Sequence, residues 1–165
     1  MSISEVPNGT RILVDANIVL YVLAGKSAQC RRFLERCADG SVEGIITTVV
    51  AAEICHRRMI LEAAARGLVA TNPAKALGRD RTKVRKLSEY SDEMRNLLGG
   101  GLTVEAVQPE DFLLSLEFQN RHGLLTNDAL NLSTARRVGL RDIATADSHF
   151  DGISGWRVFH PRDLR

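Results

Sequence analysis

The sequence predicts an α/β protein, a three-layer α/β/α sandwich around a five-stranded, mainly parallel sheet. Segments with strand character alternate with segments of helical periodicity along the whole chain. The strand segments are short continuous apolar runs without polar alternation, which is typical of strands buried on both faces. A length of 165 residues with 44% hydrophobic residues suits a single domain over residues 1–165.

The first strand is predicted at 12–14, an apolar run that stops at Asp15. A helix begins near residue 18 and continues to 23. Ser27 is a suitable N-cap for a second helix ending at residue 38. The next apolar run, at 43–48, predicts the second strand.

A long helix is predicted over 49–66, with Thr47 or Thr48 as its N-cap. Glu62 is expected at the surface. Helical spacing assigns the inner face to Val50, Ile54, the stem of Arg57, and Leu61.

The segment 67–101 is the least regular part of the chain. Thr71-Asn72-Pro73 indicates a turn, one helix is predicted over 81–98, and three glycines at 99–101 end it. This segment is also strongly basic, which predicts either a solvated helix face or contact with the phosphates of an RNA. The candidate RNA contacts are Lys75, Arg79, Arg81, Lys83, Arg85 and Lys86, with Asp80 the single acid among them.

The last part of the chain predicts a strand at 102–107 and a helix opened by Pro109 and ending near His122. A further helix ends near residue 138 and carries Asp128 in its first turn. Strands at 143–147 and 156–161 complete the sheet. The helix over 109–122 contains Phe112, Leu113, Leu116 and Phe118.

Charge, cysteine spacing and the distribution of apolar residues indicate where the protein is located in the cell. The formal net charge of +2 neither requires nor excludes a nucleic-acid partner. Cys30, Cys37 and Cys55 lack zinc-finger or C-x-x-C spacing, so they are expected to be reduced thiols. The polar first nine residues contain no apolar signal core, and no apolar run reaches membrane-spanning length. We therefore expect a cytoplasmic protein that does not interact with membranes.

Four acidic residues are predicted at one edge of the sheet. Asp15 and Asp147 end strands, while Glu53 and Asp128 lie in the first turns of helices. Carboxyl ends of parallel strands and amino ends of the following helices share one edge. Each acid alone also fits an ordinary helix cap or a favourable charge at a helix start. Together, four carboxylates repel one another unless they hold a cation. An all-oxygen donor set selects Mg²⁺ or Mn²⁺, the ions of phosphodiester hydrolysis.

These acids lie in motifs that resemble the four-acid pattern of PIN domains, most closely the VapC-like toxins of type II toxin–antitoxin systems. The motifs are ILVDAN at 12–17, TTVVAAE at 47–53, LLTNDALNLSTA at 124–135 and IATADSHF at 143–150.

The resemblance implies a Mg²⁺-dependent endoribonuclease that forms a homodimer and is held inactive by a cognate antitoxin protein. By resemblance, Asp15 and Asp128 are the principal metal ligands, and Glu53 and Asp147 complete the site. Asn17 and Thr145 would support these ligands by hydrogen bonds. Segment 67–101 is longer than expected for a minimal member of the family, so we predict that it is a helical, partly basic insertion. The helices containing Cys30–Cys37 and Phe112–Phe118 are the candidates for an apolar dimer face.

Two alternatives to a ribonuclease remain at this point. A PIN-like domain can act as a catalytically silent RNA-binding or protein-interaction module, and metal binding would distinguish the two. A haloacid-dehalogenase-like phosphatase also begins with an acid after its first strand. It would require a second Asp where Asn17 stands and a late lysine, whereas no lysine follows Lys86.

Overall fold

The computed structural model describes residues 1–164 and contains a five-stranded parallel sheet. The last residue of the predicted domain, Arg165, lies outside the described residues. Five strands form the sheet: β1 (Arg11–Val14), β2 (Glu43–Thr47), β3 (Leu102–Glu105), β4 (Asp142–Ala144) and β5 (Arg157–Phe159). Their spatial order is β3-β2-β1-β4-β5, and each neighbouring pair is parallel. The predicted fold class is confirmed.

Helices connect the first four strands in chain order, as the periodicity predicts. The described chain contains α1 (Ala16–Leu23), α2 (Ala28–Ala38), α3 (Thr48–Ala65), α4 (Pro73–Arg79), α5 (Arg81–Val84), α6 (Glu89–Gly99), α7 (Pro109–His122) and α8 (Thr126–Arg137). Short 3-10 turns lie at Ile3–Glu5 and Ser148–Phe150. Ser27 and Thr47 cap α2 and α3 through their side chains, as predicted. Within residues 1–164, no helix has the length and hydrophobicity needed to cross a membrane.

The sheet separates two hydrophobic cores. Ile12 and Val14 of β1 pack with α1, α2 and α3, whereas Leu13 packs with α7 and α8. This alternation follows from the opposite directions of successive side chains in a strand. Cys30 and Cys37 are buried in the first core as free thiols. Because both faces are covered, polar side chains of the sheet concentrate at the ends of its strands.

The prediction of one helix over 81–98 is wrong, and so is the surface position of Glu62. The chain forms α5 and α6 separately, and Glu62 on α3 is only 2% exposed. Its carboxylate accepts hydrogen bonds from the backbone N–H groups of Ser88 (2.9 Å) and Tyr90 (3.0 Å) at the start of α6. Arg66 pairs with the same carboxylate at 3.0 Å. Glu62 therefore satisfies backbone donors at a helix start, and the helix break occurs where it reaches them.

The inner face of α3 also differs from the prediction at its carboxyl end. Leu61 is 50% exposed, whereas Ala63 is fully buried. Ala63 belongs to a small separate hydrophobic cluster with Val69, Leu77 and Leu87, formed where α4 to α6 pack on α3. The prediction failed because the long segment 67–101 covers a different side of α3 from the sheet.

On α7, Phe118 is buried but Phe112, Leu113 and Leu116 are exposed. The inner face instead carries Asp111, which accepts hydrogen bonds from Arg137 Nε (2.8 Å) and Thr134 (3.0 Å) on α8. A polar contact thus joins α7 to α8, and an apolar surface is left outside.

Candidate active site

Four carboxylates line one cavity of about 430 Å³ at the carboxyl edge of the sheet. Asp15 directly follows β1, and Asp147 lies three residues after β4. Glu53 and Asp128 lie near the amino ends of α3 and α8. The lining residues are Asp15, Asn17, Glu53, Arg57, Leu125, Thr126, Asn127, Asp128 and Asp147. The structure therefore brings together all four acids that the sequence singles out.

Asp15 is held by the two side chains predicted to support it. Thr145 donates its hydroxyl hydrogen to Asp15 Oδ2 at 2.6 Å, and Asn17 Nδ2 donates to the same oxygen at 2.5 Å. Asn17 Oδ1 also accepts from the backbone N–H of Ala146 at 2.9 Å. Asp15 occupies the N-cap position of α1 but makes no side-chain capping hydrogen bond. Its carboxylate is thus oriented towards the cavity rather than used as a helix cap.

The cavity concentrates negative charge. Burial raises the pKa of Asp15 to about 6, and repulsion from Asp128 and Glu53 adds to this shift, against the hydrogen bond from Thr145. Burial also raises the pKa of Asp128, with further repulsion from Asp147 and Glu53. Raised pKa values of neighbouring carboxyl groups are typical of functional sites. A cation in the cavity would relieve this repulsion.

Glu53 and Asp147 each have a basic neighbour. Arg57 Nη2 lies 2.8 Å from Glu53 Oε1, one helical turn away on α3. His149 Nδ1 lies 2.9 Å from Asp147 Oδ1. The prediction that the stem of Arg57 belongs to the core is wrong, because its side chain is 59% exposed and lines the acidic cavity. The spacing of Glu53 and Arg57, four residues apart on a helix, is the signal for this ion pair.

Asn131 is a second residue that the sequence analysis missed. It is 3% exposed, and its Oδ1 accepts a 2.6 Å hydrogen bond from the hydroxyl of Thr47. The same hydroxyl accepts from Val50 N–H and so caps α3. This contact joins the start of α3, which carries Glu53, to α8, which carries Asp128. Its signal in the sequence is an Asn one helical turn after Asp128, on a helix that is otherwise buried.

The basic segment lies apart from the acids. None of its six basic side chains lines the acidic cavity, and none forms an ion pair with an acidic side chain within residues 1–164. Lys83 is half-buried and the other five are exposed.

The donor set of the cavity fits a hydrated hard cation. In the described part of the chain, no three Asp, Glu, His or Cys side chains converge closely enough to ligate one ion directly. Mg²⁺ retains several waters and is usually bound through one or two carboxylates. A cavity with four carboxylates, and neither sulfur nor imidazole among its lining groups, provides such ligands. Asp15 and Asp128, the two acids with raised pKa values, would gain most from the ion.

A more apolar cavity of about 360 Å³ adjoins the acidic one. It lies between α1 and α3, and Asn17 and Arg57 line both cavities. Its remaining walls are formed by Leu20, Tyr21, Ala24, Lys26, Ile60 and Leu61.

A comparison with known protein families identifies a match that spans all four acidic motifs. The family model of the PIN domain matches residues 12–155. No match was found among curated proteins.

Several solved structures are similar in fold. VapBC2 from Rickettsia felis, bound to a DNA fragment from its promoter, aligns with a TM-score of 0.60 and 15% identity over 91% of this chain and 98% of that chain. A toxin–antitoxin complex from Klebsiella pneumoniae aligns with a TM-score of 0.58 and 17% identity over 93% and 99%. VapC20 from Mycobacterium tuberculosis, described as a sarcin–ricin loop cleaving toxin, aligns with a TM-score of 0.51 and 16% identity over 86% and 90%.

Proposed function

The chain belongs to the PIN domain family, and on this basis we propose that it is a metal-dependent endoribonuclease, the toxin of a toxin–antitoxin pair. The observation that carries the proposal is the convergence of Asp15, Glu53, Asp128 and Asp147 on one cavity, with the pKa of Asp15 raised to about 6. Such a cluster costs stability unless a cation binds it. A haloacid-dehalogenase-like phosphatase is not proposed, because the chain belongs to the PIN domain family.

In this proposal Asp15 and Asp128 are the principal ligands of Mg²⁺ or Mn²⁺, and Glu53 and Asp147 act directly or through water. The ion would supply an activated water and stabilise charge on the phosphate. Thr145 and Asn17 hold Asp15 Oδ2, so the carboxylate does not have to be ordered when substrate binds. Arg57 partly balances the charge of Glu53 at the cavity wall.

RNA is the proposed substrate. Among the structural neighbours, the Mycobacterium tuberculosis protein is described as a sarcin–ricin loop cleaving toxin, and it shares the fold at 16% identity. The exposed basic residues of segment 67–101 are proposed to contact phosphates outside the cleaved bond. In this view α4 to α6 form an insertion that packs on α3 through its own small hydrophobic cluster.

An antitoxin protein and a second copy of the chain are the proposed partners, and the cytoplasm is the proposed location. The neighbouring structures include a toxin–antitoxin complex from Klebsiella pneumoniae. The apolar cavity between α1 and α3 is the proposed docking place for a segment of the antitoxin, because it shares Asn17 and Arg57 with the acidic cavity. A protein segment bound there would obstruct access to the acids.

The deciding experiment is cleavage of a structured RNA pool by purified protein with Mg²⁺ or Mn²⁺ and with chelator. The parent protein is compared with Asp128→Asn and with Asp92→Asn, which removes an exposed acid of α6 that pairs with Arg95. We expect metal-dependent cleavage by the parent and Asp92→Asn and none by Asp128→Asn. If folded, partner-free parent protein cuts no RNA and binds no Mn²⁺ by calorimetry, the silent binding module is the correct alternative.

A further inference from the structure

A third cavity, of about 290 Å³, combines guanidinium groups with aromatic rings. Arg141 and Trp156 immediately precede β4 and β5, so this wall lies at the amino edge of the sheet. The acids follow the carboxyl ends of the strands, and the two cavities share no lining residue. We call it the basic–aromatic cavity; its lining residues are Phe118, Arg121, His122, Arg136, Arg141, Ser154, Gly155 and Trp156.

The positive charge of this cavity is unbalanced. Within residues 1–164, Arg121, Arg136 and Arg141 form no ion pair with an acidic side chain. Their neighbours differ in this respect. Arg137, next to Arg136, pairs with Asp111 and Glu105, and Arg157 pairs with Asp142. The cavity contains no acidic lining residue. An anion would therefore find guanidinium groups whose hydrogen bonds are not already committed to carboxylates.

Aromatic rings orient two of these arginines. Arg136 Cζ lies 5.7 Å from the centre of the Phe118 ring, and Arg141 Cζ lies 5.9 Å from the Trp156 ring. Such cation–π contacts favour particular guanidinium positions. Arg141 gives one donor to the carbonyl of Leu140 at 2.6 Å, and a guanidinium has five N–H donors. Most of its donors remain available for a ligand.

We propose that the basic–aromatic cavity binds one nucleotide unit of a single-stranded RNA segment, away from the bond that is cleaved. Guanidinium groups recognise phosphate through paired N–H donors, and the half-buried Trp156, with Arg141 against its ring, gives an aromatic and guanidinium surface beside which a base can stack. An acidic peptide could pair with the arginines but would have no base to stack against Trp156. The inference rests on RNA being the substrate, and it adds a second contact at the opposite edge of the sheet from the acids.

The test measures RNA binding separately from cleavage. Asp128→Asn protein is titrated into a labelled single-stranded RNA by fluorescence anisotropy at several salt concentrations. In this background, Arg136→Gln with Arg141→Gln is compared with Arg31→Gln plus Arg162→Gln. The control removes two other exposed arginines that form no ion pair with an acidic side chain within the described residues.

We expect the cavity variant to lose at least about tenfold in affinity and to lower the slope of log K against log salt by about 0.7 for each lost phosphate contact. The control should change affinity less than about threefold. Trp156→Leu, which keeps both charges, should also weaken RNA binding. Arg141→Lys should bind RNA more tightly than Arg141→Gln but more weakly than the protein with Arg141, because lysine keeps the charge without the paired N–H donors. Circular dichroism and thermal melting verify that each variant is folded.

Equal affinities of folded cavity and control variants would overturn the proposal. So would a polyglutamate peptide that binds the cavity when the RNA does not. Cleavage is assayed separately with Asp128 restored. Loss of RNA binding in the cavity variants, together with a parent that neither cuts RNA nor binds Mn²⁺, would refute the nuclease function and support the RNA-binding cavity. A parent that cleaves RNA, together with cavity variants that bind RNA as tightly as the control, would support the nuclease function and refute the RNA-binding cavity.

Discussion

Thr145 donates a 2.6 Å hydrogen bond to Asp15 Oδ2, although 130 positions separate the two residues in sequence. The contact forms because β1 and β4 are parallel neighbours, and Asp15 and Thr145 each directly follow one of them. The Thr145 hydroxyl also accepts from the backbone N–H of Asp147 at 3.0 Å. A single fully buried hydroxyl thus connects two of the four acids.

Replacing Thr145 tests this connection. Thr145→Val keeps the shape of the side chain but removes the hydroxyl, so we expect Mn²⁺ affinity to fall about 10–100-fold, as for other groups that orient metal ligands. Calorimetric titration with Mn²⁺ measures the effect. Thr145→Ser retains the hydroxyl, so its Mn²⁺ affinity should stay within a few-fold of that of the parent. Equal Mn²⁺ affinity in the Val and Ser variants would mean that the hydroxyl does not position Asp15.

The acidic cluster should lower stability in the absence of metal. Burial and like charges raise the pKa of Asp128, so its ionised form is disfavoured in the folded protein. Asp128→Asn removes that charge at nearly constant shape. We expect the melting temperature in chelator to rise by about 2–4 °C, equivalent to about 1 kcal/mol for a chain of this size. Asp92→Asn should leave it unchanged, and a lower melting temperature for Asp128→Asn would contradict this account.

Glu62 should make stability depend on pH. Burial raises its pKa, but the hydrogen bonds from the backbone N–H groups of Tyr90, Ser88 and Glu89, together with Arg66, outweigh burial and leave the pKa below its ordinary value of 4.5. The ionised carboxylate therefore stabilises the fold fully above that value, and this contribution is lost as the pH falls through the lowered pKa.

Glu62→Gln should cost about 1–3 kcal/mol at neutral pH, because buried donors lose a charged acceptor. Urea unfolding at pH 7 and in acid measures the difference, which should shrink as the pH falls. Glu89→Gln changes an exposed acid of α6 and is the matched control. A constant difference between Glu62→Gln and the parent across this pH range would show that Glu62 is not the group responsible.

Asn131 should position the two helices that carry Glu53 and Asp128. Asn131→Leu leaves the Thr47 hydroxyl without its acceptor, at an expected cost of about 1–3 kcal/mol. RNA cleavage under native conditions should fall as well, because α3 and α8 lose their polar contact. Asn96→Leu at an exposed position of α6 is the control. Unchanged cleavage and stability in Asn131→Leu would exclude this role.

The exposed apolar side of α7 is the stronger candidate for a homodimer face. Leu113 and Leu116 are 68% and 44% exposed, whereas α2 turns its apolar residues into the first core. Leu113→Glu with Leu116→Glu should convert a dimer to a monomer in light-scattering chromatography. Leu98→Glu changes a comparably exposed leucine of α6 and should leave the dimer intact. A dimer that persists in the double variant must use another surface.

The sequence predicted the sheet, the helices outside segment 67–101 and the positions of the four acids because each of these features is encoded locally. A short apolar run ending in Asp15 specifies both a buried strand and the position of its acid. Parallel topology then brings Asp147 to the same edge. These inferences require only the order of elements and a rule for how they connect.

Contacts made by side chains across the fold were beyond such reasoning. Glu62 has the sequence context of a surface acid on α3, and only the packing of α6 against it explains its burial. Asn131 pairs with a hydroxyl 84 positions away. The basic–aromatic cavity unites residues from α7, α8 and two loops, each unremarkable in sequence.

Arg57 lines both the acidic and the apolar cavity, and its guanidinium pairs with Glu53 at 2.8 Å. A ligand in one cavity can therefore change the charge balance of the other. A ligand in the apolar cavity that draws the guanidinium away leaves Glu53 without its counter-charge and so increases the attraction of the acids for a cation. Thermodynamic linkage then requires the cation to strengthen binding of that ligand by the same factor. Ligand binding in one cavity would then be coupled to ligand binding in the other through the position of the Arg57 side chain.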